Sequence, residues 1–183
     1  MLIARWEDNK NIKKLLSNFP KNIQYKIIKR AVTRAVQSAR VAVTKEIKTD
    51  YNIDTTHIKQ SLNVKQTRNS AFLQVKSRPR ALSYFGARPK QPTYKQGQKA
   101  SVQIKTITER KQVNSAFVAI MNSGHIGVFI HLGNRKIKEL YGPSVTGMAK
   151  NPLVEQAFIK KVNETLEDRL LHEIDAYMKG YTK

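Results

Sequence analysis

Two short apolar runs joined by a tight polar turn constrain the fold of this chain more strongly than any other feature. The runs are residues 117–121 and 128–130, and the letters NSGH lie between them. Asparagine and glycine tolerate positive φ angles, and asparagine and serine bond to their own backbone, so this segment is typical of a turn. The pattern predicts a β-hairpin. Residues 137–141 follow as a predicted edge strand, which the next Gly-Pro pair ends because proline has no N–H for a neighbouring strand.

Two long amphipathic stretches, residues 20–50 and 153–179, lie on either side of this hairpin in the chain. Their apolar residues recur at steps of three and four, the spacing that places them on one face of a helix. The two stripes are Ile28, Val32, Val36, Ala39, Val43 and Ile47, then Leu153, Ala157, Phe158, Val162, Leu166, Leu170, Ile174 and Tyr177. The opposite face of the first stretch carries Lys26, Lys29, Arg30, Arg34, Arg40, Lys45 and Lys48. Two long helices are predicted.

The segments between these helices contain capping and strand signals. The Asp-Thr-Thr cluster at 54–56 predicts the start of a short helix that ends near Leu62. Alternating apolar and polar residues then predict strands at 63–67, 71–76, 81–85 and 101–108.

A basic loop and a sheet complete the predicted fold. Residues 88–100 are rich in Pro, Gly, Gln and Lys without an apolar pattern, so they are predicted to be a solvated loop. The fold class is α+β, with an antiparallel or mixed sheet of about five strands over residues 63–141, bracketed by the two long helices. The 183 residues are predicted to form a single domain.

The charge of the chain points to anionic partners. The formal net charge is +21, and all of the excess precedes residue 151, since residues 151–183 carry one more acidic than basic side chain. The chain has no cysteine, which excludes disulfides, zinc ribbons and thiol nucleophiles and suits a reducing cytoplasm. No run approaches the roughly 18 uncharged residues of a membrane span, and the first residues lack the pattern of a signal peptide. We therefore expect a protein that is made inside the cell.

No residue pattern indicates catalysis or a cofactor. His57, His125, His131 and His172 lack the spacing of metal ligands. The acidic residues of the last helix alternate with lysine and arginine, as on a solvated face. The chain has no nucleophile elbow, phosphate loop or dinucleotide fingerprint. We expect no catalytic residue, no cofactor and no metal.

The basic residues on and beside the predicted loop are the main binding candidates. They are Arg78, Arg80, Arg88, Lys90, Lys95 and Lys99, and Tyr84, Phe85 and Tyr94 are interleaved with them. Such a set can neutralise phosphates, and without a recognition helix or zinc finger it would not read bases. The alternative is a contact with acidic surfaces of neighbouring proteins. The large charge favours DNA, and solubility alone would be served by mixed signs with less repulsion.

The string Tyr141-Gly142-Pro143-Ser144 has two interpretations. It is either a structural corner or part of a contact between subunits. The residue types favour the corner, because a tyrosine ring can pack, glycine supplies unusual dihedral angles and proline ends a strand.

These motifs occur in an order that resembles a known family. From about residue 79 to 150, the segments SRPRALSYFGARPKQ, the hairpin and IKELYGPSVTGM resemble the prophage minor tail protein Z family, the tail-completion proteins of long-tailed phages. The resemblance implies a structural, non-catalytic virion protein at the head-proximal end of the tail, needed for head–tail joining and for positioning DNA. It would be made in the host cytoplasm.

The resemblance also implies partners. They would be the tail terminator, the tail tube, head-completion proteins and phage DNA, without a membrane. Tail symmetry implies a homo-oligomeric ring, a hexamer built by head-to-tail contacts. The loop at 88–100 would then point inward or against a partner, and would be poorly ordered in the isolated protein.

Two other functions stay open. A free nucleic-acid-binding protein without sequence preference would bind DNA tightly and salt-sensitively as a monomer or dimer. A basic enzyme such as a nuclease would need a cluster of carboxylates on the sheet, and the middle of the chain has almost none.

Overall fold

The computed structural model describes residues 2–4, 10–67, 70–92, 99–106, 108–134 and 136–180. Within these ranges the elements in chain order are β1 (Leu2–Ala4), α1 (Lys10–Ser17), α2 (Lys21–Asp50), α3 (Thr55–Ser61), β2 (Leu62–Gln66), β3 (Ala71–Val75), β4 (Pro79–Ala81), β5 (Ser101–Val102), β6 (Lys111–Gln112), β7 (Ala116–Ile120), β8 (Ile126–Gly133), β9 (Lys136–Glu139), β10 (Tyr141–Ser144), α4 (Val145–Met148) and α5 (Pro152–Met178). A short 3-10 helix, Leu82–Tyr84, follows β4.

The internal contacts divide the chain into two units. Unit 1 comprises Met1–Lys45, Leu62–Val75 and Lys150–Lys183. Unit 2 comprises Glu46–Ser61 and Lys76–Ala149, so it includes the last turn of α2. The prediction of one domain over residues 1–183 stays a prediction.

Unit 1 buries the apolar stripes of α2 and α5 that the sequence predicts. Buried residues of these stripes in unit 1 are Val32, Val36, Ala39, Val43, Phe158, Val162, Leu166, Leu170 and Ile174. The start of the α5 stripe was predicted wrongly. Leu153 is 58% exposed and Val154 is buried, because Val154 lies one turn before Phe158 on the buried face. The sheet of this unit has the strand order β1-β3-β2, with antiparallel pairs.

Unit 2 contains the predicted hairpin. Strands β7 and β8 pair antiparallel, with Phe117 opposite Phe129. The turn is closed by the N–H of Met121, which donates to the carbonyl of His125 at 2.8 Å. Strand β9 adds to β8, and separate antiparallel pairs are formed by β4 with β10 and by β5 with β6.

The α+β class is confirmed, with long helices towards both ends of the chain and antiparallel strands between them. One sheet of about five strands is a wrong prediction, because the ten strands of the described residues are divided among four small sheets. The predicted strand at 81–85 is replaced by β4 and the 3-10 helix. Among the described residues of the predicted strand at 101–108, only β5 is a regular strand, since the carbonyl of Ile104 accepts instead from the N–H of Asn52.

The sequence predicts that the Gly-Pro pair after β9 ends the pairing of strands. This prediction is wrong, because pairing continues through the Gly-Pro pair. Residues Tyr141–Ser144 form β10, in which Tyr141 lies opposite Ala81 and Ser144 opposite Pro79. The register shifts between these two pairs, and both strands are edges of a two-stranded sheet. Pro143 is tolerated because an edge strand needs no N–H on its open side. None of the helices in the described ranges has both the length and the apolar composition of a membrane span.

Candidate functional site

The predicted basic set is spread around the base of the loop in unit 2. Arg78, Arg88, Lys90 and Lys99 are exposed, whereas Arg80 is half-buried. Lys95, Tyr94 and the rest of 93–98 lie outside the described residues. Four of the six predicted basic residues are thus exposed in the described ranges, and one is half-buried.

Arg80 points into a partly buried polar cluster. Its Nη2 donates to Ser61 Oγ at 3.2 Å, and its Nε is buried without a hydrogen-bond partner among the described residues. Ser61 Oγ donates in turn to the carbonyl of His57 at 3.0 Å. The His57 ring meets the Tyr84 ring edge-on, with centroids 4.3 Å apart. The guanidinium of Arg80 therefore bonds to Ser61 within unit 2 and is not fully available to a partner.

The base of the loop is held by backbone and arginine contacts. The N–H and carbonyl of Arg88 exchange hydrogen bonds with Ser101, each at 2.9 Å. Arg110 Nη1 donates to the carbonyl of Gly86 and reaches that of Ser101 at 3.5 Å. Nothing in the residue pattern around Arg110 indicates this contact, and its charge is the only signal in the sequence that points to it.

A groove of about 560 Å³ lies beside this loop base in unit 2. It brings one residue of the predicted set, Lys90, together with the hairpin. Its lining includes Tyr84, Pro89, Lys90, Val118, His125 and Ile126. Among the described lining residues, aromatic and aliphatic side chains thus make up much of the wall, and Lys90 is the one lysine or arginine.

The string at 141–144 borders this region and its residues have identifiable contacts. The phenol of Tyr141 donates to Glu139 Oε2 at 2.8 Å, and Glu139 Oε1 accepts from His125 Nε2 at 2.6 Å. The hydrogen bond from the phenol to Glu139, together with the negative charge of that carboxylate, raises the pKa of Tyr141. Tyr141 is 57% exposed, so the prediction that its ring packs at a structural corner is wrong.

The next residues of the string are fixed from inside. A Cβ at Gly142 would lie 2.6 Å from the ring of Phe85, which is fully buried. Only glycine allows this approach without a shift of the ring. Ser144 Oγ accepts from the N–H of Gly147 at 3.0 Å and so caps α4. These contacts give Gly142 and Ser144 a structural role without any partner.

A second groove, of about 840 Å³, lies in unit 1. Helix α2 contributes four cations and two neutral polar residues, and β2 and α5 supply the rest of the described wall: Lys26, Lys29, Arg30, Thr33, Arg34 and Gln37, then Gln66, then His172, Glu173 and Ala176. The sequence pattern places these four cations on the exposed face of a predicted helix, and it assigns them to no binding site. Their spacing of three and four residues is the signal in the sequence that they share one helix face. No signal in the sequence indicates that Gln66 joins them.

Several contacts hold the side chains of this second groove. Gln66 Nε2 donates to Thr33 Oγ1 at 2.6 Å and reaches the carbonyl of Lys29 at 3.4 Å, which fixes the end of β2 to α2. Arg30 Nη1 lies 3.8 Å from Glu173 Oε2. Among the described residues no three His, Cys, Asp or Glu side chains are grouped as a metal site.

One family model covers both of these regions. The model of prophage minor tail protein Z (GPZ) matches residues 9–183, nearly the whole chain. The chain belongs to the prophage minor tail protein Z family. The resemblance found in the sequence is therefore confirmed, and the match extends well beyond the hairpin and the string at 141–144. No curated protein and no solved structure matches the chain significantly.

Membership of the minor tail protein Z family gives this protein a structural role in a phage tail, where it is a virion component among other tail proteins. Both grooves lie within the matched residues. Each is therefore a candidate surface for contact between a minor tail protein of this family and its partners.

Proposed function

We propose that this minor tail protein completes the phage tail at its head-proximal end, where it is needed for head–tail joining and for positioning the DNA, and that it does so without catalysis. The observation that carries the proposal is the family match over residues 9–183. The net charge of +21 supports a place next to the genome, because a cationic wall cancels repulsion of DNA.

The groove of unit 2 supports a contact with a neighbouring protein. Its wall combines Tyr84, Val118 and Ile126 with Lys90. Protein interfaces are enriched in aromatic and apolar side chains at their centres and depleted of lysine. Of the two partners proposed for the basic loop, a neighbouring tail protein is thus favoured over DNA at this groove. The tail terminator, the tail tube and the head-completion proteins are the candidates.

The proposed position at the end of the tail also leads us to expect assembly as a ring. A protein at the end of a tail with rotational symmetry meets equivalent neighbours, and head-to-tail contacts between copies close when the rotation returns to its start. We propose a hexamer.

The position in the tail can be tested directly. Particles are purified from a host that produces the phage with an epitope-tagged copy of the protein, and the tag is located by cryo-electron microscopy of tails and whole virions. The proposal expects density at the junction of head and tail, and expects a deletion mutant to yield separate heads and tails that the added protein joins. Density at the distal tip, or normal joining by the deletion mutant, would refute it.

The free nucleic-acid-binding protein is the second candidate, supported by the charge alone. It is separated from the first by sizing the protein with and without purified tails. Migration with tails at physiological salt supports the tail role. Migration as a monomer or dimer in both samples, with tight DNA binding, supports the alternative.

A further inference from the structure

The groove of unit 1 has the charge and the spacing of a phosphate-binding surface. Lys26, Arg30 and Arg34 follow one another at four-residue steps on α2, and Lys29 stands beside them. Four cations face one carboxylate, that of Glu173, among the described lining residues. From this arrangement we infer that the groove binds the phosphate backbone of duplex DNA. The inference rests on the proposed function, because it gives the positioned DNA its contact surface.

The length of the row fits successive phosphates. From Lys26 to Arg34 the helix rises about 12 Å, at about 1.5 Å per residue. Phosphates of one strand lie about 3.4 Å apart along the duplex axis. The row therefore spans roughly three or four phosphates of one strand.

Neutral hydrogen-bonding groups accompany the cations. Thr33, Gln37 and Gln66 also line the groove. Hydroxyl and amide groups of this kind share phosphate contacts with arginine and lysine in DNA complexes, where they fix the register of the protein without reading sequence. The hydrogen bond from Gln66 to Thr33 and the approach of Glu173 to Arg30 fix part of the wall before DNA arrives.

The same wall argues against a protein partner. Of the described residues that line it, Ala176 alone has an apolar side chain. The buried centre of a protein interface is apolar and depleted of charge, whereas protein–DNA interfaces are more polar and much more positive. An acidic protein segment is therefore the less favoured occupant.

The test compares two double variants that lose the same charge. Lys26→Ala/Lys29→Ala removes two lysines from the groove. Lys150→Ala/Lys160→Ala removes two exposed lysines of the same unit that do not line it. Binding of a fluorescein-labelled duplex of arbitrary sequence is measured by anisotropy over a range of salt concentrations, and circular dichroism checks the helix content.

The groove variant should bind the duplex roughly tenfold more weakly at about 0.1 M salt, and the slope of log K against log salt should fall by about two, since each phosphate contact contributes about 0.9. The control should change affinity less than about threefold, because a distant charge is screened beyond a Debye length. If the groove variant loses helix content, Lys26→Gln/Lys29→Gln with its matched control replaces it.

Two outcomes would overturn the inference. Equal losses in both variants would show that total charge, not the groove, governs binding. An unchanged DNA affinity with lost binding to purified tails would assign the groove to an acidic protein. Failure of the proposed function is seen separately, as absence of the wild-type protein from the head–tail junction whatever the anisotropy shows.

Discussion

The two grooves of this protein differ in what lines them. Among the described lining residues, the unit 1 groove has four cations and one apolar residue, Ala176, whereas the unit 2 groove has one lysine together with His125 and several aromatic and aliphatic side chains. Net charge alone would have assigned both to DNA. The residue composition of the wall, and not the total charge, therefore separates a surface suited to polyanions from one suited to proteins.

The basic side chains of the two units also differ in the contacts that they make. In unit 1 they project from a regular helix at fixed spacing, and their contacts are with other side chains, Arg30 with Glu173 at 3.8 Å and Arg34 with Gln37 at 3.5 Å. In unit 2 Arg80 and Arg110 donate to Ser61 and to backbone carbonyls at the loop base. A count of basic residues therefore overstates how many are presented to a partner in unit 2.

The largest expected effect is that of salt. If the four cations of the unit 1 groove each meet a phosphate, the affinity for duplex DNA should fall roughly 100-fold between about 50 and 200 mM salt. Association with purified tails, through the less charged groove of unit 2, should weaken much less. Anisotropy and co-sedimentation over one salt series measure both. Parallel losses would break the comparison, because they would mean that one electrostatic surface serves both partners.

The next effect concerns the scaffold of unit 2. Gly142→Ala places a methyl group against the buried ring of Phe85 and should lower the free energy of unfolding by about 1–3 kcal/mol. Gly147→Ala is the control, since its Cβ would meet only Ser144 Oγ at 3.5 Å and alanine favours helix by about 0.5–1 kcal/mol. Urea unfolding measures both.

Binding data extend this comparison between the units. Under conditions where Gly142→Ala is folded, its tail association should be weaker and the salt slope of its DNA binding unchanged. The opposite pattern would show that unit 2, and not unit 1, carries the DNA contact.

A smaller effect is expected at the wall of the unit 1 groove. Gln66→Ala removes the hydrogen bond to Thr33 that fixes the end of β2 to α2, and should weaken DNA binding roughly threefold, as the loss of one net hydrogen bond implies. Gln156→Ala, at an exposed position on α5, is the matched control. An unchanged affinity in both variants would mean that the cations act without this support.

The smallest effect is the alkaline titration of Tyr141. Glu139 holds its phenol in the neutral form and raises its pKa. The stabilisation is complete below the pKa of an unfolded tyrosine and is lost as the pH rises through the higher pKa of the folded state. Ultraviolet titration should show one late tyrosine that disappears in Tyr141→Phe and titrates earlier in Glu139→Gln. DNA affinity at neutral pH should not change, because the residue lies outside the cationic groove.

The regular elements could be predicted because their signals are local. The stripe from Val32 to Val43 repeats with the helical period, and the NSGH turn marks the hairpin directly. Such patterns fix an element without reference to the rest of the chain. The same reasoning failed at Leu153, where a one-residue shift of the stripe depends on how α5 meets its neighbours.

Pairing between distant segments could not be predicted. Residues Pro79–Ala81 and Tyr141–Ser144 form a sheet, although the Pro in each strand argues against one. The candidate site could not be predicted for a similar reason. Nothing local indicates that Gln66 would meet the face of α2, or that Arg80 would point towards Ser61. The cations were visible in the sequence, but the groove around them depends on long-range contacts.

The approach of Gly142 to Phe85 limits how this part of the chain can diverge. Position 142 accepts a larger residue without strain only when position 85 carries a side chain smaller than phenylalanine, since the two compete for one volume. Each single replacement should therefore cost stability, through a clash when 142 grows and through a cavity when the buried ring at 85 shrinks. The two positions should consequently change together in related sequences.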